Sequence, residues 1–245
     1  MARYKVILAY DGTQFFGSQR QAEARTVQSE FEAALRKLGW QDQSIILAGR
    51  TDSGVHANGQ VAAFDLDWNH PSQALLQALN ALLPKDISVR LAEKCADDFH
   101  PRFDAVWRSY CYTIISDPAR DPLTERFAWR VWPVPDFDLL QTAAILITGT
   151  HDFSPFGRPT RRNGSTIRQV FHAGWKQDGN QLRFEVTANA FLYHMVRRMV
   201  FVQLSCGHRK LDPESISQVL RDPQNHPIFQ GLAPAQGLSL IEIGY

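Results

Sequence analysis

Cysteine is scarce in this chain, and the three present, Cys95, Cys111 and Cys206, are odd in number and far apart. They offer neither a zinc-ligand spacing nor a disulfide framework, so the expected compartment is the reducing cytoplasm. Long apolar runs are missing as well. No stretch approaches the roughly 20 residues of a membrane span, and no membrane association is expected. Met1-Ala2-Arg3-Tyr4-Lys5 leads straight into a strand-like run rather than a secretory leader. The eight histidines, His151, His172 and His194 among them, are too scattered to assemble a recognisable zinc site. The paired His-x-Glu and Pro-Cys-x-x-Cys of zinc deaminases is absent, which disfavours that chemistry. Net charge is also nearly absent, at +1, but the signs are unevenly placed. Residues 153–177 hold Arg158, Arg161, Arg162, Arg168 and Lys176 with no acid. Residues 186–211 hold Arg197, Arg198, Arg209 and Lys210, again with none. A near-neutral total with acid-free basic stretches suits a protein that binds a polyanion on one face.

What is present is ordinary globular material: 245 residues, 44% apolar and 21% charged, enough for one large domain or two of modest size. Tyr4 to Tyr10 reads as a strand ended by the Asp11-Gly12 turn signal. Thr26 caps a helix through Val27, Phe31, Leu35 and Leu38, with Gly39 as its stop. Two short strands, 44–48 and 60–64, flank a polar loop. A helix from Pro71 to Pro84 and a strand over 87–91 follow. This strand–helix–strand–strand–helix–strand order is the ferredoxin-like pattern. The second half repeats it loosely, with strands over 106–115, 168–176, 182–187 and 238–243 and helices over 138–148, 190–205 and 212–221. The expected fold is α+β: two ferredoxin-like halves, 1–104 and 105–245, joined into an extended antiparallel sheet with helices on one side.

The loop between the two short strands concentrates chemistry. It carries Arg50, Thr51, Asp52, Ser53 and His56, with Gly49, Gly54 and Gly59 as hinges. Glycine serves where backbone takes positive φ or approaches another group closely, and a polar loop held by two strands is a common way to present a reactive side chain. Asp52-Ser53-Gly54 also fits the aspartic-protease triplet, but the chain has no second copy to supply the partner carboxylate. Elsewhere, alternation on the strand from Val106 places Arg108, Tyr110, Tyr112 and Ile114 on one face. Residues 191, 195, 199 and 202 form one apolar helical stripe, with Arg197 off it.

Taken together, Gly49-Arg50-Thr51-Asp52-Ser53-Gly54-Val55-His56-Ala57 and Gly59-Gln60-Val61-Ala62 closely resemble the signature loop of the TruA family of tRNA pseudouridine synthases. Phe99-His100-Pro101-Arg102-Phe103 followed by Arg108-x-Tyr110-x-Tyr112-x-Ile114 is similar to the family's second motif, and Met195-Val196-Arg197 to its third. Smaller echoes are Gly149-Thr150-His151-Asp152-Phe153 and the tail Ala233 to Leu238. Two positions depart from the pattern. Phe201 stands where the family usually has glycine, and Ser18-Gln19-Arg20-Gln21 replaces Trp-Gln-Arg-Gln.

The resemblance implies isomerisation of uridine to pseudouridine in the tRNA anticodon arm, at positions 38–40, by a homodimer. Asp52 is then the nucleophile. Tyr110 stacks on the uracil, with its hydroxyl a candidate proton acceptor. Arg197 is the counter-charge to Asp52, and Arg50 fills the gap left by the flipped base. Further substrate contacts are expected from His100, Arg102, Arg158, Arg161, Arg162 and Arg168. The reaction moves a ribose from N1 to C5 with no redox change, so it calls for no cofactor and no metal. Whether Asp52 attacks uracil C6 or ribose C1′ stays open. The rival readings are a tRNA-binding protein without activity and a synthase for another RNA.

Overall fold

The computed structural model describes residues 1–160 and 163–245; Arg161 and Arg162 lie outside the described residues. Two compact units are present, Met1–Val106 with Ser239–Tyr245, and Trp107–Leu238.

In the first unit, β1 (Ala2–Tyr10) alternates strictly, burying Tyr4, Val6, Leu8 and Tyr10. α1 (Val27–Lys37) begins at a capping box, in which the Thr26 hydroxyl accepts from the Ser29 amide and Ser29 Oγ accepts from the Thr26 amide. Its buried face is Val27, Phe31, Ala34 and Leu35, and Gly39 follows in the left-handed region at φ 93°. β2 is short (Ile46–Leu47), and β3 runs from His56 to Leu66. α2 (Ser72–Leu82) buries Leu75 and Leu79, and β4 (Ile87–Lys94) follows. The lateral order is β4-β1-β3-β2, every pairing antiparallel. That is the order the ferredoxin-like pattern predicts. Tyr4 stacks on Phe64, and Phe31 meets the same ring edge-on. Each such fully buried ring or leucine is worth about 1.5–3 kcal/mol relative to exposure.

One strand belongs elsewhere than its position in the chain suggests. The final strand, β10 (Leu238–Gly244), pairs in parallel with β3, setting Ser239 beside His56 and Leu240 beside Ala57. Gly59 lies so close to Ile241 that a Cβ there would collide with the Ile241 carbonyl. The C-terminus therefore buttresses the end of β3 where the polar loop re-enters the sheet.

In the second unit, β5 (Trp107–Ser116), β9 (Gln181–Ala188), β8 (Ile167–Asp178) and β7 (Gly149–Asp152) lie side by side, all antiparallel, with β6 (Trp129–Val131) parallel to β5. α3 (Phe137–Leu146) is capped by Asp136, whose carboxylate accepts from the Asp138 and Leu139 amides. α4 (Met195–Gly207) and α5 (Glu214–Arg221) complete the unit. Trp175 anchors the core. It packs on Phe184 and donates its indole N–H to Gln203 Oε1 at 2.7 Å. The helix expected over 190–205 starts late, at Met195. His194 sits at φ 65°, a left-handed conformation that cannot continue a right-handed helix, so Phe191 lies ahead of α4 and off its stripe. β6 and β7 have no counterpart among the strands expected from sequence.

Candidate active site

Loop 48–55 is held along its whole length by first-unit residues. At its start, the Ala48 amide donates to the Val61 carbonyl at 2.9 Å, and Gln60 Nε2 donates to the Gly49 carbonyl at 2.9 Å. Thr51 is buried. Its amide donates to Ser18 Oγ at 2.8 Å, its carbonyl accepts from the Ser18 amide at 3.1 Å, and its hydroxyl meets Tyr10 Oη at 2.8 Å. On the far side of Asp52, Ser53 Oγ and the Gly54 amide both donate to the Phe15 carbonyl, at 3.1 and 3.3 Å. Both residues beside Asp52 are thus tied to the segment 15–18.

Two glycines let that segment come so near. A Cβ on Gly12 would overlap the Val55 carbonyl, and one on Gly17, at φ 88°, would lie 2.8 Å from the Thr51 carbonyl. Burial pushes the Tyr10 phenol up from its ordinary value, with hydrogen bonding from Thr51, Gln60 and Ser18 opposing the shift. The phenol stays protonated at neutral pH and keeps its donor. Below it, Ser18 and Gln60 are fully buried polar residues, an arrangement costly unless hydrogen-bonded and therefore specific in geometry. His56 proves to be the first residue of β3 rather than part of the loop. Its Nδ1 accepts from the Gly12 amide at 3.0 Å and lies 3.2 Å from Asp11 Oδ1.

Arg50 is exposed and Asp52 half-buried, two residues apart on this clamped loop. His100 and Arg102 stand on a separate turn after β4. There His100 Nδ1 accepts from the Arg102 and Phe103 amides at 3.2 Å, its amide donates to Asp104 at 2.8 Å, and its ring stacks on Phe103. His100 thus has a turn-forming role that its residue type did not announce.

In the second unit, Tyr110 is half-buried on β5, and the Phe191 ring meets it edge-on at 5.1 Å between centroids. Tyr112, two residues along the same face, is fully buried, and its hydroxyl donates to the Pro234 carbonyl at 2.7 Å. Burial raises the Tyr112 phenol far above its usual value, with the positive charge of Arg197 acting against the shift. Arg197 Nε donates to the neighbouring Ala233 carbonyl at 2.7 Å, and the Ala233 amide donates back to the Arg197 carbonyl at 3.2 Å. The 233–234 segment thereby ties β5, which carries Tyr110, to α4, which carries Arg197. Arg198 has a different employment, with Nε on the Phe229 carbonyl at 2.9 Å and Nη1 on the Phe156 carbonyl at 2.7 Å.

Among the remaining cations, Arg158 is exposed and its backbone bridges to Tyr193. Arg168 turns inward to its own loop, Nη1 donating to the Ser165 and Ile167 carbonyls at 2.9 and 2.6 Å, and burial lowers its pKa. Sequence reasoning missed Tyr10, Gly12, Gly17 and Gln60 as supports of the loop. The Ser18 and Gln60 contacts to the loop span 33 and 11 positions of sequence, so no local pattern announces them.

An acid-bearing glycine loop on a ferredoxin-like sheet, with an aromatic strand and an arginine-bearing helix in the second unit, is the setting in which the comparisons fall. Residues 6–104 and 143–245 match the tRNA pseudouridine synthase family, and the chain belongs to that family of RNA-acting isomerases. Its similarity is to proteins called tRNA pseudouridine synthase A. It is 36% identical to that of Geobacter sp. (strain M21), over 100% of this chain and 99% of the relative. It is 38% identical to that of Bacillus pumilus, over 99% of each. To that of Moorella thermoacetica it is 39% identical, over 98% of each.

Proposed function

We propose that this chain isomerises uridine to pseudouridine in the anticodon arm of tRNA, at positions 38–40, with Asp52 as nucleophile. The observation that carries the reading is the bracing of Asp52. The residues on both sides of it are hydrogen-bonded to the segment 15–18, while Asp52 itself is half-buried. A group that must meet a reacting atom to within a fraction of an ångström needs such a frame.

In the proposed reaction the N1–C1′ bond breaks, ribose rejoins the ring at C5, the C5 proton leaves, and N1 is protonated. Asp52 supplies the covalent step, at C6 or at C1′. It has to be ionised in a pocket that RNA closes to water, which opposes the charge; the Arg197 guanidinium offsets that desolvation. Tyr110, steadied by the Phe191 edge, stacks on the extruded uracil, and its hydroxyl is the candidate acceptor for the C5 proton. Arg50 enters the gap in the RNA stack. Extrusion costs a few kcal/mol, offset by stacking worth about 1–3 kcal/mol and by substrate contacts from His100, Arg102, Arg158, Arg161, Arg162 and Arg168. The working form is a homodimer in the cytoplasm, and no cofactor or metal takes part.

The test is to incubate the purified protein with unmodified tRNA transcripts and map pseudouridine at single-nucleotide resolution. Product confined to positions 38–40 is expected. Product elsewhere would make it a synthase for other sites, and tight binding without product would make it a silent tRNA-binding protein.

A further inference from the structure

The segment between β9 and α4 presents a large aromatic ring outward and holds it rigidly. Tyr193 is 52% exposed, with its ring stacked on the His194 imidazole at 3.7 Å and an interplanar angle of 26°. With one face covered, that exposure falls on the opposite face and the edge. The backbone beneath is fixed from both sides. The Tyr193 amide donates to the Arg158 carbonyl at 2.9 Å, and Gly157 lies so close that a Cβ there would stand 2.6 Å from the Tyr193 carbonyl. The next residue, His194, is held in the left-handed region at φ 65°, which costs an L-residue energy and persists where the surroundings enforce it.

None of this burial-poor geometry helps the core, since an exposed tyrosine face contributes little to folding. The segment is cationic in sequence. Arg158, whose backbone bridges to Tyr193, is exposed, Arg197 and Arg198 follow on α4, and residues 186–211 include no acid. Two residues upstream, Phe191 supports Tyr110, the side chain given to the extruded uracil. A fixed π-face on a segment that carries arginines and no acid matches a nucleobase with its phosphate. Single-stranded nucleic acid is gripped in this way.

We propose that Tyr193 is a second stacking platform, which takes an unpaired nucleobase flanking the isomerised uridine. The proposal rests on the RNA-isomerase reading above and adds a contact that fixes the substrate loop rather than the reacting base. Arg158 supplies the neighbouring phosphate contact.

The experiment measures dissociation constants and steady-state kinetics for an anticodon stem-loop RNA with the wild-type protein, Tyr193→Ala and Tyr193→Phe. Tyr193→Ala is expected to weaken binding and raise KM by about 5- to 150-fold, the loss of one stacked base, with Tyr193→Phe close to wild type. Substrates with an abasic nucleotide at single flanking positions then identify the stacked base. At one position the wild type should lose the same factor, while Tyr193→Ala loses little more. An unchanged dissociation constant for Tyr193→Ala, or equal losses in both proteins at every abasic position, overturns the platform. Because binding is read separately from turnover, absence of pseudouridine with Tyr193-dependent binding would instead remove the isomerase reading and leave the platform standing.

Discussion

Tyr10 touches Thr51 across 41 positions of sequence, and that contact illustrates what local patterns can and cannot convey. The loop around Asp52 was legible because its residues are contiguous, with Arg50 and Asp52 two positions apart on it. The phenol, serine and glutamine that hold it come from three different elements, and only the folded sheet brings them together. Tyr10 in particular reads as an ordinary inward residue of β1, since alternation reports burial and not what the hydroxyl meets. Its role is testable. Tyr10→Phe keeps the ring and removes one buried hydrogen bond, worth about 1 kcal/mol. If that bond orients Asp52 in the transition state, kcat should fall about fivefold with KM for tRNA unchanged. A matched loss in thermal stability with normal kcat would show the network to be scaffolding only. Ser18→Ala should behave alike, because the Thr51 amide then lacks its acceptor, on the same residue whose hydroxyl Tyr10 meets.

At the level of elements, the regular strands and helices follow from period and capping, while the irregular joints do not. The apolar period runs on through Phe191 and so overextends the expected helix, because periodicity cannot register the left-handed turn at His194. β6 and β7 contain only three and four residues, too few for alternation to stand out from loop. Phe201 is a further case. A bulky residue where related chains usually have glycine raises the question of where its ring goes. It lies against Gly231, which sits at φ 94° with no Cβ, in the space any larger residue would need. Gly231→Ala should therefore destabilise the protein by about 1–3 kcal/mol through backbone strain and ring collision. Adding Phe201→Ala removes the collision. The double variant should be less unstable than the sum of the singles by at least about 0.5 kcal/mol, in denaturant titrations of all four proteins. Strict additivity would mean that ring and glycine do not act as a pair.

For the molecule as a whole, one unit offers a braced acid and the other an aromatic strand, arginines and two acid-free stretches of sequence. The sequence order of the elements foretold the two ferredoxin-like patterns. It did not foretell that the last strand would pair with β3, since parallel partners distant in sequence leave no local trace. If phosphate contacts supply most of the affinity, the logarithm of the tRNA binding constant should fall linearly with the logarithm of salt concentration. About five such contacts give a slope near −4.5 on duplex stem, and Arg158→Ala should reduce that slope by about one. A flat response would contradict the basic-face reading. The central claim is that Asp52 performs the chemistry, and single-turnover assays of Asp52→Asn and Asp52→Ala on tRNA test it most directly. The account predicts that neither variant forms detectable pseudouridine while both bind tRNA within a fewfold of wild type; formation at a rate within tenfold of wild type by either variant would contradict it.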